Sequence, residues 1–214
     1  MKPYVLIGVL FILSACNNSN LSKEKEEPKK ETQSAPIQEV HYSAKQLELK
    51  TALEEYLKQL ESLNTEGIIE LTYPKLFVPI NRELFIHYIN TLLSSEEIQV
   101  DSFKTTLLSL GNVRTFNGGE YAQIEYQREI KLSFINPELY SDELSVRVLQ
   151  DVLARKYGKE NIFIDAANRT ITIKETEKLL AIKEGEMGWK FIGDNPSYRK
   201  LYPRIIPADI LSEI

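Results

Sequence analysis

The hydrophobic and polar positions follow a helical period early in the chain and a strand period later. Behind a Ser43-x-x-Gln46 capping box, apolar residues recur every three or four positions as far as Leu63. This pattern predicts a long amphipathic helix of about five to six turns. A short second helix is predicted over Gly67–Tyr73, and a third is predicted to begin near Pro79.

Strand signals begin after the third helix. The segment Val100–Phe116 is rich in β-branched and apolar residues, which predicts a strand. Asn117-Gly118-Gly119 is a hairpin signal, because Asn and Gly tolerate positive φ. Polar and apolar residues then alternate as far as about Phe134, so a second long strand is expected to pair with the first.

The last third of the chain combines one helix with two hairpins. Helical spacing returns over Glu143–Tyr157 and ends at Gly158. The four strands that follow are predicted at Ile162–Ile164, Thr170–Ile173, Lys178–Lys183 and Trp189–Ile192. The charged stretch 174–178 is interpreted as a solvated turn. Helices first and antiparallel hairpins later favour an α+β fold for residues 43–214.

The amino terminus has the pattern of a secretory signal. Lys2 precedes an apolar run over Tyr4–Leu13, which is too short to cross a bilayer comfortably. The following Leu13-Ser14-Ala15-Cys16 resembles the bacterial lipobox. The resemblance implies a signal peptide at 1–15 and a Cys16 that carries two or three acyl chains such as palmitate, enough for a stable membrane anchor. The alternative is an uncleaved anchor helix with an incidental cysteine.

Residues 16–42 are predicted to form a disordered tether after the lipidated cysteine. Their mixed charges, prolines and small residues cannot bury enough apolar area to fold. A charged stretch soon after Cys16 resembles export signals of some lipoproteins, although a solvated spacer explains it as well. Asn17 stands where a simple inner-membrane retention signal has Asp. The expected location is the cell envelope, with the outer membrane or cell surface favoured over the inner membrane.

The order of elements resembles the NTF2-like, cystatin-related cone fold over Ser43 to Asn195. In that fold a long amino-terminal helix and two shorter helices pack on a curved antiparallel sheet. Gly188-Trp189-Lys190-Phe191-Ile192 is similar to its last strand. The helix at Glu143–Tyr157 departs from the pattern. The resemblance implies a concave ligand site and, in many members, a homodimer formed through the sheets.

Composition excludes several classes of function. The net charge of −5 and the isoelectric point of about 5.3 leave no basic surface for nucleic acid. A single cysteine excludes an intrachain disulfide and a multi-cysteine metal site, and two histidines without metal-binding spacing exclude a multi-histidine site. No P-loop, dinucleotide or Gly-x-Ser-x-Gly pattern occurs. We therefore expect no metal, no cofactor and no catalysis.

The candidate ligand-binding residues are aromatic or charged positions on the predicted helices and strands. They are Tyr73, Phe85, His87, Tyr88, Tyr126 and Arg128. Strand alternation places Tyr126 and Arg128 on one face and Glu129 on the other. Arg128 beside Tyr126 is suited to hold an anion, and an outward, salt-bridged arginine is the alternative. His87, Tyr126, Arg128 and Glu129 are also the set that the family resemblance suggests for an enzyme.

Three functions remain open at this point. The first is a non-catalytic module that binds a small ligand or a peptide. The second is an interaction module that docks on another envelope protein or on a second copy of the chain. The third is an NTF2-like enzyme. The apolar tail Tyr198–Ile214 fits either docking on its own core or a partner-binding arm.

Overall fold

The computed structural model describes residues 41–137 and 142–211. The predicted signal peptide, Cys16 and the tether up to residue 40 lie outside the described residues. So do residues 212–214 of the tail and the side chain of Tyr88.

The described chain begins with helices. Helices α1, α2 and α3 span Ala44–Glu61, Thr65–Leu71 and Arg82–Leu93, and a 3₁₀ helix spans Pro74–Phe77. The capping box of α1 is confirmed, since the Ser43 hydroxyl accepts the Gln46 N–H and the Gln46 side chain accepts the Ser43 N–H. Helix α2 begins earlier than predicted, because the Asn64 side chain accepts the N–H of Gly67 and caps it.

Helix α3 begins after Pro79 rather than at it. The Asn81 carboxamide oxygen accepts the Leu84 N–H at 2.9 Å, which makes Asn81 the residue that caps the first turn. Phe85 on this helix packs edge-on against Phe77 of the preceding 3₁₀ helix, with ring centroids 5.9 Å apart. This contact holds α3 close to the end of the 3₁₀ helix.

In the part of the chain that the structure describes, six strands form one antiparallel sheet. They are β1 (Ile98–Leu110), β2 (Arg114–Phe116), β3 (Gly119–Phe134), β4 (Ile162–Asp165), β5 (Thr170–Lys183) and β6 (Lys190–Gly193). Strands β3 and β5 form the centre. Strands β1 and β2 both pair with β3, whereas β4 and β6 both pair with β5. Two register shifts in β1 bend this strand. The predicted α+β fold, with helices on a curved antiparallel sheet, is confirmed.

The predicted hairpin is confirmed, but the strand before it is divided. Asn117 and Gly118 take φ values of 46° and 78°, as a tight hairpin turn requires. The chain breaks strand geometry at residues 111–113, between β1 and β2. Here the Gly111 N–H donates to the Gln123 carbonyl at 2.8 Å, and a Cβ on Gly111 would lie 2.7 Å from that oxygen. Only glycine fits this close approach of the two backbones.

Strand β5 corrects one interpretation of the sequence. The predicted solvated turn over 174–178 is wrong, because these residues lie inside a single strand that pairs with β3 along its whole length. Alternation turns Glu175 and Glu177 towards the helices, where they meet Arg128. The charged side chains are therefore paired within the sheet, and β5 continues through them without a turn.

Helix α4 (Glu143–Tyr157) lies where the sequence predicted it. The Asp142 side chain accepts the Ser145 N–H and caps it. One face packs on the sheet through the buried residues Leu149, Leu153 and Tyr157. The other face exposes an apolar stripe of Leu144, Val148 and Val152. The helix thus belongs to the core on one side only.

The tail docks on its own core over the residues that the structure describes. Its short helices are α5 (Pro196–Arg199), α6 (Tyr202–Ile205) and α7 (Ala208–Leu211). The buried tail residues Tyr202, Ile205, Ile206 and Ile210 pack against Tyr121, Leu180, Ile182 and Ile192. By alternation, these strand residues lie on the sheet face opposite to α1. The sheet is therefore covered by helices on one face and partly by the tail on the other.

Candidate functional site

A cavity of about 150 Å³ lies between helices α1, α2 and α3 and the sheet face that they cover. Its walls are largely apolar and include Leu60, Ile68, Phe85, Ile89, Phe103 and Phe191. A cavity of about 150 Å³ is large enough to accept a molecule the size of benzene. The space is small for a ligand site, so any occupant has to be compact.

Tyr198, the third residue of α5, lines the cavity beside β6. Gly193 lies on the cavity face of β6, opposite Leu179 of β5. A Cβ on Gly193 would lie 2.7 Å from Cδ2 of the Tyr198 ring. The absence of a side chain at residue 193 therefore lets the ring reach the cavity wall, where it is part of the lining.

A buried ionic cluster forms the polar part of the cavity wall. The Arg128 side chain is 3% exposed, and its Nη2 lies 2.5 Å from Glu175 Oε2 and 2.9 Å from Glu177 Oε1. The pairing of β3 with β5 sets this geometry, because Arg128 lies opposite Glu175 and Tyr126 lies opposite Glu177. Arg128 and Glu177 line the cavity directly.

The cluster holds two carboxylates against one guanidinium, and the pKa values of Glu177 and Arg128 respond to burial and to these charges. Burial raises the pKa of Glu177 to about 7, against the lowering effect of Arg128 and with a further rise from Glu175. The pKa of Arg128 is raised by the two carboxylates although its burial acts in the opposite direction. Arg128 is thus charged, and Glu177 changes between its protonated and its ionised form near neutral pH.

Tyrosines supply further polar groups of the lining, in addition to Thr72 and Asn195. Tyr56, Tyr126 and Tyr198 all contribute to the wall. Burial raises the pKa of each phenol, so all three keep their protons at neutral pH. The Tyr56 ring stacks on Phe191 with centroids 4.7 Å apart, which fixes the wall between α1 and β6. The cavity can therefore hold a compact apolar body while offering hydroxyl and carboxyl groups to one polar substituent.

The structure brings together Phe85, Tyr126 and Arg128 of the predicted site residues, which all line the cavity. Tyr73 lies elsewhere, in the apolar cluster under the tail. After α2 the backbone runs beside β6, and the Tyr73 N–H donates to the Phe191 carbonyl at 2.9 Å. Thr72 then lines the cavity while Tyr73 turns past the sheet edge to the other face.

His87 and Tyr88 do not add to the described site. His87 is exposed on α3 and borders a shallow depression with Ile80 and Leu84. The side chain of Tyr88 lies outside the described residues. Glu129 lies on the opposite face of β3 from Arg128, where it pairs with Lys174 at 2.8 Å. The four residues suggested as an enzymatic set therefore do not converge.

Arg128 combines features of the two alternatives, an inward arginine that holds an anion and an outward arginine in a salt bridge. Its side chain turns inward, as the concave-face interpretation required, yet it is salt-bridged within the protein. Sequence reasoning missed its partners Glu175 and Glu177, and also Tyr56 and Tyr198. A signal for the glutamates was present. With β5 as one strand, they occupy two inward positions between apolar residues on the same face.

The described residues include neither a membrane-spanning helix nor a cluster of metal ligands. No helix there is long and apolar enough to cross a membrane. In the same ranges, no group of three or more His, Cys, Asp or Glu side chains is arranged to hold a metal ion.

The solved structures that are similar to this chain include an uncharacterized protein with a cystatin-like fold from Caulobacter vibrioides. The two chains share 13% sequence identity, and the similarity covers 73% of this chain and 94% of that chain with a TM-score of 0.35. No family model matches this chain, and no curated protein matches it.

Proposed function

We propose that this protein is a lipid-anchored lipoprotein of the cell envelope whose NTF2-like domain binds a small ligand without catalysing a reaction. The anchor is the lipidated Cys16, and the tether 16–42 places the domain away from the lipid headgroups. The ligand site is the cavity between helices α1–α3 and the sheet. Its occupant is one compact molecule, and a peptide is too large for the closed part of the cavity.

The observation that carries the proposal is a buried ionic cluster on the wall of a cavity. Burying charged groups is costly, and a fully apolar wall would give equal or greater stability. Charged groups with perturbed pKa values that meet in a pocket are typical of functional sites. Arg128, Glu177 and the tyrosines around them therefore support ligand binding better than a purely structural role.

Ligand binding is tested by native mass spectrometry of the full chain, released from its membrane into lipid nanodiscs. We expect a reproducible small-mass adduct on the wild-type protein. Val100→Phe adds a ring to the cavity lining and should remove the adduct. Leu108→Phe changes an exposed residue of the same strand and should leave it in place. A wild-type protein without any adduct, or an adduct equally present on both variants, would count against the cavity as the site.

The anchor has a separate test, because it rests on separate residues. The full chain is expressed in a bacterium that is fed an alkyne analogue of palmitate, and the protein is then conjugated to a fluorophore. We expect label on the wild-type chain and none on Cys16→Ser. Label that persists on Cys16→Ser would overturn the assignment of Cys16 as the lipidated residue.

The apolar stripe of α4 favours self-association as a second candidate function. Leu144, Val148 and Val152 are 71%, 55% and 40% exposed, and they follow one another at successive turns of one helix face. Sedimentation velocity of the full chain in nanodiscs tests this candidate. A wild-type dimer that becomes monomeric in Val148→Glu would support it, whereas a monomer at all concentrations would exclude it.

A further inference from the structure

We infer that the cavity selects a small amine, a benzene-sized apolar body that carries one ammonium group received by Glu177. This inference rests on the proposed ligand-binding function and names the chemical class of the ligand. It departs from the anion that Arg128 alone suggested.

The balance of charge on the cavity wall is the first argument. Glu175 lies 2.5 Å from the Arg128 guanidinium and is sufficient to neutralise it. Glu177 is a second carboxylate on the same guanidinium, at 2.9 Å, and it lines the cavity. An anionic ligand at this wall would meet the repulsion of the two carboxylates. A cationic ligand instead adds a positive charge beside Glu177, which shares Arg128 with Glu175 and receives only a weaker effect from Lys156.

The aromatic lining and the volume are the second argument. Tyr126 and Tyr198 lie close enough to Glu177 to respond to its charge, and Tyr56 lines the same cavity. Tyrosine rings attract ammonium groups through their π electrons. Leu60, Phe85 and Phe103 provide apolar surface for the body of the ligand. The cavity volume of about 150 Å³ gives room for roughly one six-membered ring.

The charge state of Glu177 sets how binding depends on pH. Several groups influence this carboxyl: Arg128 and Tyr126 on β3, Glu175 on β5, Tyr198 on α5 and Lys156 on α4. The pKa of Glu177 is raised to about 7, first of all by burial. An ammonium ion binds the ionised carboxylate, so amine affinity should increase as the pH rises from about 6 to 8.

The inference is tested with three probes of equal shape and different charge: benzylamine, benzyl alcohol and sodium benzoate. Their affinities are measured by ligand-observed NMR on the full chain in nanodiscs, with empty nanodiscs subtracted. At pH 8 we expect benzylamine to bind at least tenfold more tightly than benzyl alcohol, and benzoate to bind least. Glu177→Gln should abolish the preference for the amine and retain the alcohol. Glu129→Gln, which removes a carboxylate from the opposite sheet face, is the matched control and should leave the affinities for all three probes unchanged.

Each outcome separates the inference from the function on which it rests. Equal affinities for the amine and the alcohol, or tighter binding of benzoate, would overturn the amine class while leaving the cavity as a ligand site. A preference for the amine that survives in Glu177→Gln would also overturn the role of Glu177. Failure of all three probes to bind would overturn the site itself, and the proposed function with it.

Discussion

Two glutamates near one another in the sequence experience opposite environments on the two faces of the sheet. Glu177 lies on the helix face, where it shares one guanidinium with Glu175, and burial raises its pKa to about 7. Glu184, just after β5, accepts hydrogen bonds from Lys75, Tyr73 and Tyr121 at 2.8–2.9 Å. Burial alone would raise the pKa of Glu184, but these donors lower it.

The difference shows that the number of hydrogen-bond donors decides whether a largely buried carboxylate stabilises or destabilises the fold. Glu184 accepts hydrogen bonds from three donors and shares them with no other carboxylate, so its charge stabilises the sheet face that the tail covers. Glu177 shares Arg128 with Glu175 in a largely buried position, and burial outweighs the effect of Arg128, so its charge destabilises the folded protein. A carboxylate of the first kind stabilises the fold. A carboxylate of the second kind costs stability, which is why we propose it as part of a ligand site.

The largest expected effect is the loss of the shared cation. Arg128→Met leaves Glu175 and Glu177 buried without it, and such a break costs about 3–5 kcal/mol of unfolding free energy. Urea unfolding followed by the fluorescence of Trp189, the single tryptophan, measures the loss. This residue is 3% exposed and reports on the core. A loss below about 1 kcal/mol would mean that the cluster is more hydrated than its exposure indicates.

The next effect concerns Glu177 and has a characteristic pH dependence. Its pKa is 4.5 without perturbation and about 7 in the folded state. The folded protein therefore holds this proton more tightly, and the stability that this provides is complete below pH 4.5 and lost as the pH rises through about 7. Glu177→Gln removes that loss. We expect a gain on the order of 2–3 kcal/mol at pH 8 and little change near pH 4.

Urea unfolding of both proteins at a series of pH values measures this difference. The comparison between variant and wild type cancels the contributions of other groups. A difference that is independent of pH would show that the pKa of Glu177 is the same in the folded and the unfolded chain, and would contradict the shift.

Glu184→Gln should show the reverse pH dependence with a smaller effect. The pKa of Glu184 is lowered in the folded state, so its stabilisation is present above pH 4.5 and is lost as the pH falls through the folded pKa. Removing the charge from three donors should cost about 1–2 kcal/mol at pH 7. The same urea series tests it. A gain in stability at neutral pH would contradict the contrast between the two faces.

The smallest effect is expected for a carboxylate on the open sheet surface. Glu129 and Lys174 form an ion pair whose side chains are 30% and 41% exposed. Exposed pairs contribute about 0.2–1 kcal/mol, and salt screens them. Glu129→Gln should therefore lower the unfolding free energy by less than about 1 kcal/mol, with a smaller loss at high salt. A salt-independent loss would point to contacts other than the charge.

Much of the fold followed from local patterns in the sequence. The capping box at Ser43, the turn at Asn117-Gly118 and the period of Glu143–Tyr157 each depend on nearby residues, and each prediction agrees with the structure. The continuity of β5 did not follow from such patterns. Charged residues in a row normally indicate solvent, and only the partner strand reveals that Arg128 compensates Glu175 and Glu177.

The same reasoning explains what was predicted of the site. Alternation along β3 correctly placed Tyr126 and Arg128 on one face and Glu129 on the other. Tyr73 was misplaced, because the chain passes the edge of β6 at that point and a helical period cannot show such a crossing. Tyr198 comes from a segment that the sequence shows only as an apolar tail. Sites assembled from distant segments are therefore the least predictable part.

The contact between Gly193 and Tyr198 links the two faces of the sheet. Tyr198 lines the cavity on the helix face, while Tyr202, four residues later, packs with the rest of the tail on the other face. If a ligand of the proposed site displaces the Tyr198 ring and α5 with it, occupation of the cavity and docking of the tail share one coupling free energy. By thermodynamic reciprocity, each shifts the other by the same amount.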